Sequence, residues 1–348
     1  MLLSLFKGKS PVILLLITLV AFILWFNSFK GFAHLPAFVF DKSPMPFYAF
    51  LNNLLAERHF WRIFIAFVIL MAQAFMLVHI NVKYYFIGER TYLPAIIFVI
   101  LASSIAGLNR LNPVSFSTLL LLFAIDRILA SFRKDGLAYN YFDAAFLISM
   151  SSLFYANSIF FMLIVWLGLL IYRSFRFREW IYTFIGLLLP YIFVVSYYYI
   201  TQQDVVQKIS LLSENIADIR IGFLPRPAYL FFILLTLFLM LLSGRKVALS
   251  IVKMKIHARK TNWFLLGTFL IILFIYFVLP SASFELIIPA SVPLAYNFSY
   301  YFSHSRKKLF ASIFFTLYLI LVLAIQFYEG SIPFLPSEWA INQPAVMS

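Results

Sequence analysis

The chain reads as an all-α integral membrane protein, a polytopic transmembrane helix bundle of about eleven helices, and three observations predict that class. Of its 348 residues 64% are hydrophobic and 11% charged, whereas a soluble domain is about half apolar and about a quarter charged. A water-soluble shape must clothe itself in polar groups and could not bury so much apolar surface. The apolar residues also run on without a charge, as from Ile13 to Leu24 and from Phe264 to Leu279. A transmembrane barrel would alternate apolar and polar residues over short strands, so these runs are helices, which satisfy their backbone polar groups internally. The third observation is the distribution of charge between the runs.

A spanning helix takes about 20 apolar residues. Runs between charged or turn-rich breaks predict spans near 11–27, 62–80, 92–108, 114–131, 143–155, 158–173, 180–200, 226–243, 263–279, 284–302 and 309–327. The first follows Lys7 and Lys9 and lacks a small-residue cleavage site after Trp25, so it reads as an uncleaved helix. The run from Ala144 to Tyr172 poses a question of parity. As one helix it would extend about 43 Å, too long for a core of about 30 Å. A turn at Tyr155-Ala156-Asn157-Ser158 instead predicts a hairpin of two short helices. Asn109-Arg110-Leu111-Asn112-Pro113 is a second break.

With the N-terminus inside and the C-terminus outside, 19 of the 27 Lys and Arg fall in inner segments. The outer eight are Lys30, Lys42, Arg58, Arg62, Arg110, Lys208, Arg220 and Arg226. Eight of the 13 acids also lie outside, so the whole net charge of +14 sits inside, as the positive-inside rule requires. That accounts for the basic balance without nucleic acid. Trp25, Trp61, Tyr92, Tyr172, Trp180 and Trp263 lie near segment ends, where an amphipathic ring suits the interface.

The whole chain, 1–348, is read as one membrane domain, with outer loops at 28–61 and 201–225 and an outer tail at 328–348. In the first loop Phe47, Phe50, Leu51, Leu54 and Leu55 share a helical face, and in the second Val205, Ile209, Leu212, Ile216 and Ile219 do. Both predict amphipathic helices on the outer membrane surface. The segment Gly244 to Lys260 predicts a basic surface helix on the inner side, suited to anionic headgroups.

With no cysteine, disulfides, thiol nucleophiles and Cys-ligated metals are excluded. Nucleotide-binding, zinc-protease and hydrolase signatures are absent, and the five histidines show no ligand spacing. No cofactor is indicated, a divalent cation being the one option. Ionisable groups at membrane depth are the remaining pointers, since charge in hydrocarbon is costly. Glu285, in Ser281-Ala282-Ser283-Phe284-Glu285, reads equally as an acid in an outward-facing cavity or as a carboxylate at a helix start. Asp126 and Arg127 suggest a local ion pair. Arg110 could bind an anionic headgroup or substrate, or serve only a turn. The first outer loop is richest, with Asp41, Lys42, Glu57, Arg58, His59 and Arg62. A carboxylate beside cations suits attack on a lipid-linked phosphate sugar, with the acid as base or metal holder and the cations on phosphate. An ordinary solvated loop is the plainer alternative.

The order of Phe6-Lys7-Gly8-Lys9-Ser10-Pro11, the Asn112-Pro113 break, Phe142-Asp143-Ala144-Ala145, Ser152-Leu153-Phe154-Tyr155, Phe177-Arg178-Glu179-Trp180 and Gly186 to Pro190 resembles a family of polytopic inner-membrane proteins of Bacteroidota. That resemblance spans nearly the whole chain and implies a location, the bacterial inner membrane, but no activity. The layout is also similar to the C-type glycosyltransferase superfamily, with its acidic first outer loop, surface helix and many unequal helices. This likeness implies that Asp41 is the loop carboxylate and that Arg58 or Arg62 holds phosphate. It departs from the superfamily at the acidic pair, because Asp41 is followed by Lys42. The expected function is therefore a glycosyltransferase-like activity on a lipid-linked substrate at the outer leaflet, with Asp41 catalytic and Arg58, Arg62, Arg110 and Glu285 binding. A transporter or flippase and a non-catalytic subunit of an envelope assembly are the alternatives. Expected partners are membrane lipids and a lipid-linked phosphate sugar, not nucleic acid.

Overall fold

The structure, a computed structural model, describes residues 2–8, 10, 12–30, 40–132, 139–172, 177–218, 227–305 and 307–331. Among these residues every regular element is helical. In chain order they are α1 (Leu2–Phe6), α2 (Val12–Phe29), α3 (Pro46–Leu54), α4 (His59–Tyr84), α5 (Leu93–Ala102), α6 (Pro113–Ala130) and α7 (Tyr139–Ser152). There follow α8 (Met162–Tyr172), α9 (Phe177–Ile200), α10 (Val205–Ala217), α11 (Pro227–Ser250), α12 (Ile256–Val278), α13 (Ile287–His304) and α14 (Lys308–Ser331). Seven of them, α2, α4, α6, α9, α11, α12 and α14, are long and apolar enough to cross a membrane. The chain is a membrane protein.

The four remaining predicted spans are also helical but shorter or interrupted. The run at 92–108 is a helix only over Leu93–Ala102, followed by a 3-10 turn at Ala106–Leu108. All ten residues of α5 are buried, as are 13 of the 18 in α13. Helices apolar on every side and buried on every side form the centre of a bundle. At Tyr155-Ala156-Asn157-Ser158 the chain turns through a 3-10 helix, Ala156–Phe161. The Tyr141 hydroxyl then reaches the Gly168 carbonyl at 3.4 Å. In one continuous helix those residues would lie about 40 Å apart, so α7 and α8 form a hairpin.

Contacts sort the described helix ends into two sets. At one, Lys83 meets Asp126 at 2.8 Å, Phe132 packs on Tyr172, and His257 stacks on Tyr84. This is the basic end. At the other, Trp25 bonds Ser103, Asn109 bonds Gln326, and Tyr155 bonds Glu285. The Phe132–Tyr172 contact puts the flanks of two predicted basic clusters together. The clusters' own Arg133, Lys134, Arg173 and Arg176 lie outside the described residues, as do Lys9, Arg220, Arg226, Arg306 and the tail from 332.

Two expectations change. The basic segment Gly244 to Lys260 is not a separate surface helix. Its first half is the end of α11, which runs to Ser250 before a 3-10 turn at Ile251–Lys253, and its second half opens α12. Gly244 weakens a helix by only about 1 kcal/mol, and no proline follows to break the ladder. Asp126 and Arg127 do not pair with each other. Asp126 meets Lys83, and Arg127 meets Asp143 at 3.7 Å, because neighbours on one helix point to different partners.

Helix packing relies on small side chains. A Cβ on Gly186 would sit 2.6 Å from the Phe142 carbonyl oxygen, so α9 and α7 touch backbone to backbone there. Ser149 and Ser152 extend the seam through bonds to the Leu187 carbonyl and the Tyr191 hydroxyl. Small and hydroxylic residues serve this purpose where lipid supplies no hydrophobic drive between helices. The opposite face of α9 leaves Phe184, Leu188, Ile192 and Phe193 exposed. Hydrocarbon is the solvent that such a face requires.

Candidate functional site

The end of the bundle away from the basic end is stepped. Lys83–Asp126 and the bond from Gln73 Nε2 to the Ser115 carbonyl, at 2.6 Å, align α4 and α6 at two levels. Beyond Gln73, α4 continues to His59, about 20 Å further along its axis, whereas α6 begins at Pro113. With only ten residues, α5 is about 15 Å long. Backbone outside α-helix at 103–112 and 153–161 therefore lies well below the end of α4. Irregular backbone at such depth persists only where protein or water satisfies it.

Here the protein does so. Asn112 caps α6, accepting from the Ser115 amide at 2.6 Å, and donates to the carbonyls of Leu108 and Arg110. α3 covers the step. Its Tyr48 hydroxyl bonds the Leu111 carbonyl at 3.2 Å, the Phe47 amide bonds the Leu153 carbonyl, and Phe47 packs on Phe154. Phe50 and Leu54 are turned outward, so α3 divides its apolar residues between protein and surroundings. α10 braces the loop before α3: Asn215, fully buried, accepts from the Ser43 amide at 2.9 Å and donates to the Ser43 carbonyl at 2.8 Å.

Four of the five predicted site residues converge under this roof. Arg62 Nη2 donates to Asn52 of α3 at 2.8 Å. Burial disfavours the Arg110 charge and lowers its pKa; Tyr48 opposes that shift and Arg62 adds to it. Burial raises the Tyr48 phenol above its ordinary range, Arg62 and Arg110 pull it back, and Asp41 adds to the rise. The charges of Asp41, Arg62 and Arg110 thus all act on Tyr48. Both carboxylate oxygens of Asp41 are shielded from solvent, and its charge also acts on Tyr155. The fifth residue, Arg58, is the exposed N-cap of α4, one turn before Arg62.

Glu285 forms the floor. It has zero exposure and precedes α13 in a 3-10 turn, Phe284–Leu286. Its carboxylate accepts from the Tyr155 hydroxyl at 2.8 Å, the Ser283 amide at 3.2 Å and the Ser283 hydroxyl. Asn157 donates to the Tyr155 oxygen at 3.0 Å, and Ser281 donates to Asn157 at 2.9 Å. This chain ties the α7–α8 turn to the entry of α13. Glu285 therefore faces protein groups rather than an open outward cavity.

Tyr48, Asn52 and Asn215, and the turn residues Tyr155 and Asn157, were not among the predicted site residues. Their one signal was polarity inside amphipathic or turn segments, which says nothing of what lies across from them. Among the described residues no three His, Asp or Glu side chains gather as a metal site. No protein-family model, curated protein or solved structure matches the chain. Fold and site together define the class: a multi-pass, all-α membrane protein whose short central helices stop beneath a polar, helix-roofed step.

Proposed function

We propose that the chain is a glycosyltransferase-like protein of the bacterial inner membrane, with the basic end in the cytoplasm and all eleven helical segments in the bilayer. It acts on a lipid-linked phosphate sugar at the outer leaflet. The supporting observation is the meeting of half-buried Arg62 and Arg110 at α3: Arg62 donates to Asn52, the Tyr48 hydroxyl donates to the carbonyl of Leu111 next to Arg110, and the charges of Asp41, Arg62 and Arg110 all act on Tyr48. Two like charges in a poorly hydrated site disfavour each other, and an anionic phosphate relieves both. Asp41 takes the proton from the acceptor hydroxyl as that oxygen attacks the anomeric carbon of the sugar; the bond from that carbon to the phosphate oxygen breaks, and the lipid phosphate leaves onto Arg62 and Arg110. A divalent ion held by Asp41 would lower the pKa of that hydroxyl. Arg58, at the rim, meets the phosphate as it enters from the leaflet. Glu285 holds Tyr155 under the reacting group. The acidic first loop with its surface helix fits the C-type glycosyltransferase layout, and the inner-membrane placement fits the Bacteroidota resemblance.

The test uses the purified chain in proteoliposomes with a labelled lipid-linked sugar and an acceptor. Asp41→Asn lowers transfer by about 10² to 10⁴, the usual contribution of a general base, with an unchanged melting curve. Transfer by Asp41→Asn at the native rate overturns the reading. So does movement of label across the bilayer without bond formation, the behaviour of a flippase. Reporter tags after Lys134 and after Arg178 should both report the cytoplasm; any other result overturns the orientation.

A further inference from the structure

The function above leaves the basic end unused, and one surface there stands apart. From residue 219 to 284 the chain has no acidic residue. Within that stretch, the junction of α11 and α12 concentrates Arg245, Lys246, Lys253, Lys255, Arg259 and Lys260. Arg245, Lys253, Lys255 and Arg259 are exposed.

The junction is held in a fixed shape. His257 stacks on Tyr84 at 5.7 Å and meets the Phe132 ring edge-on at 4.5 Å. Lys260 lies over the Phe132 ring at 5.8 Å, and Asn262 donates to the Ala258 carbonyl at 2.8 Å. The acids Asp126 and Asp143, at the same end, face Lys83 and Arg127. Between the exposed cations stand Leu249 at 71% exposure and Val252 at 84%.

We infer that this junction is a binding surface for anionic phospholipid in the adjoining leaflet. A soluble anion would satisfy the cations and leave Leu249 and Val252 in water. A lipid offers phosphate to the cations and acyl chain to the apolar residues together. Each cation near an anionic bilayer surface is worth about a fivefold gain in binding.

The test is electron spin resonance of the full chain in detergent–lipid micelles with spin-labelled phosphatidylglycerol or phosphatidylcholine. The native chain should bind phosphatidylglycerol at least about fivefold more tightly, with a preference that shrinks as salt rises. The variant R245Q/K253Q/K255Q/R259Q, altered only at exposed positions, should lose that preference. R245K/R259K, which keeps the charge, should retain it, as should K30Q/K42Q at the other end. Equal affinity for the two lipids overturns the inference, as does an undiminished preference in the quadruple variant or its loss in K30Q/K42Q. Displacement by inorganic phosphate at equal concentration, or tighter binding of duplex DNA than of lipid, overturns it as well.

Discussion

The two ends of this bundle hold their charges in different ways. At the basic end Asp126 meets Lys83, whose side chain is 40% exposed, and long helices carry cations out to their tips. At the other end Glu285 has no exposure and is held by Tyr155 and Ser283. An exposed pair is screened by water and salt and is worth little. A buried carboxylate must have every lone pair answered, since an unanswered donor or acceptor costs about 1–3 kcal/mol. The Lys83–Asp126 pair thus tolerates change, whereas Glu285 is set by particular bonds and does not.

The largest effect is therefore expected at Glu285. Glu285→Ala leaves the Tyr155 hydroxyl and the Ser283 donors buried without their acceptor and should cost about 3 kcal/mol. Unfolding in mixed micelles measures this loss, and Tyr155→Phe should cost less when added to Glu285→Ala than it does alone, because the shared bond is already gone and only the Asn157 donor newly loses its acceptor. A native-like unfolding curve for Glu285→Ala would remove the contrast between the ends.

A smaller loss is expected at Asn112, whose side chain caps α6 and holds two carbonyls of the break. Asn112→Ala should cost about 1 kcal/mol. It should also weaken capture of a phosphate-bearing lipid, since the Arg110 backbone loses its tether. A binding change without a stability change would mean that Asn112 acts on ligand rather than on the helix start.

The smallest effect belongs to the basic end. Lys83→Gln, Asp126→Asn or both should shift unfolding by about 0.5 kcal/mol, less at high salt. A loss comparable to that at Glu285 would show that the two ends are not held differently after all.

The elements were legible to different degrees, for physical reasons. α2, α4 and α9 announce themselves because a long uncharged run in lipid has one low-energy form. The α7–α8 hairpin followed from the length of the 29-residue run, too long for one span, from the turn residues Tyr155 to Ser158 inside it, and from the basic clusters at both its ends. α5 reads too long in the sequence, because residues 103–108, Ser103-Ser104-Ile105-Ala106-Gly107-Leu108, carry no charge to end the run yet turn away. In the site, Asp41, Arg62 and Arg110 stood out as charges among apolar neighbours. Tyr48 and Tyr155 did not, because a tyrosine in an aromatic-rich membrane sequence carries no distinguishing mark.

The sequence alone determined that this is a multi-pass helical membrane protein and where its long apolar helices lie. It also predicted that the positive charge gathers on one set of segment ends. Each follows from the transfer of single segments and single charges between water and hydrocarbon, a local quantity. Only the tertiary structure decided that α5 stops short, that α3 and α10 roof the step, and that Asp41, Arg62 and Arg110 all act on Tyr48. Those outcomes depend on which faces of distant helices meet, through contacts such as Gly186 against Phe142 and Tyr155 against Glu285, and no local pattern encodes them.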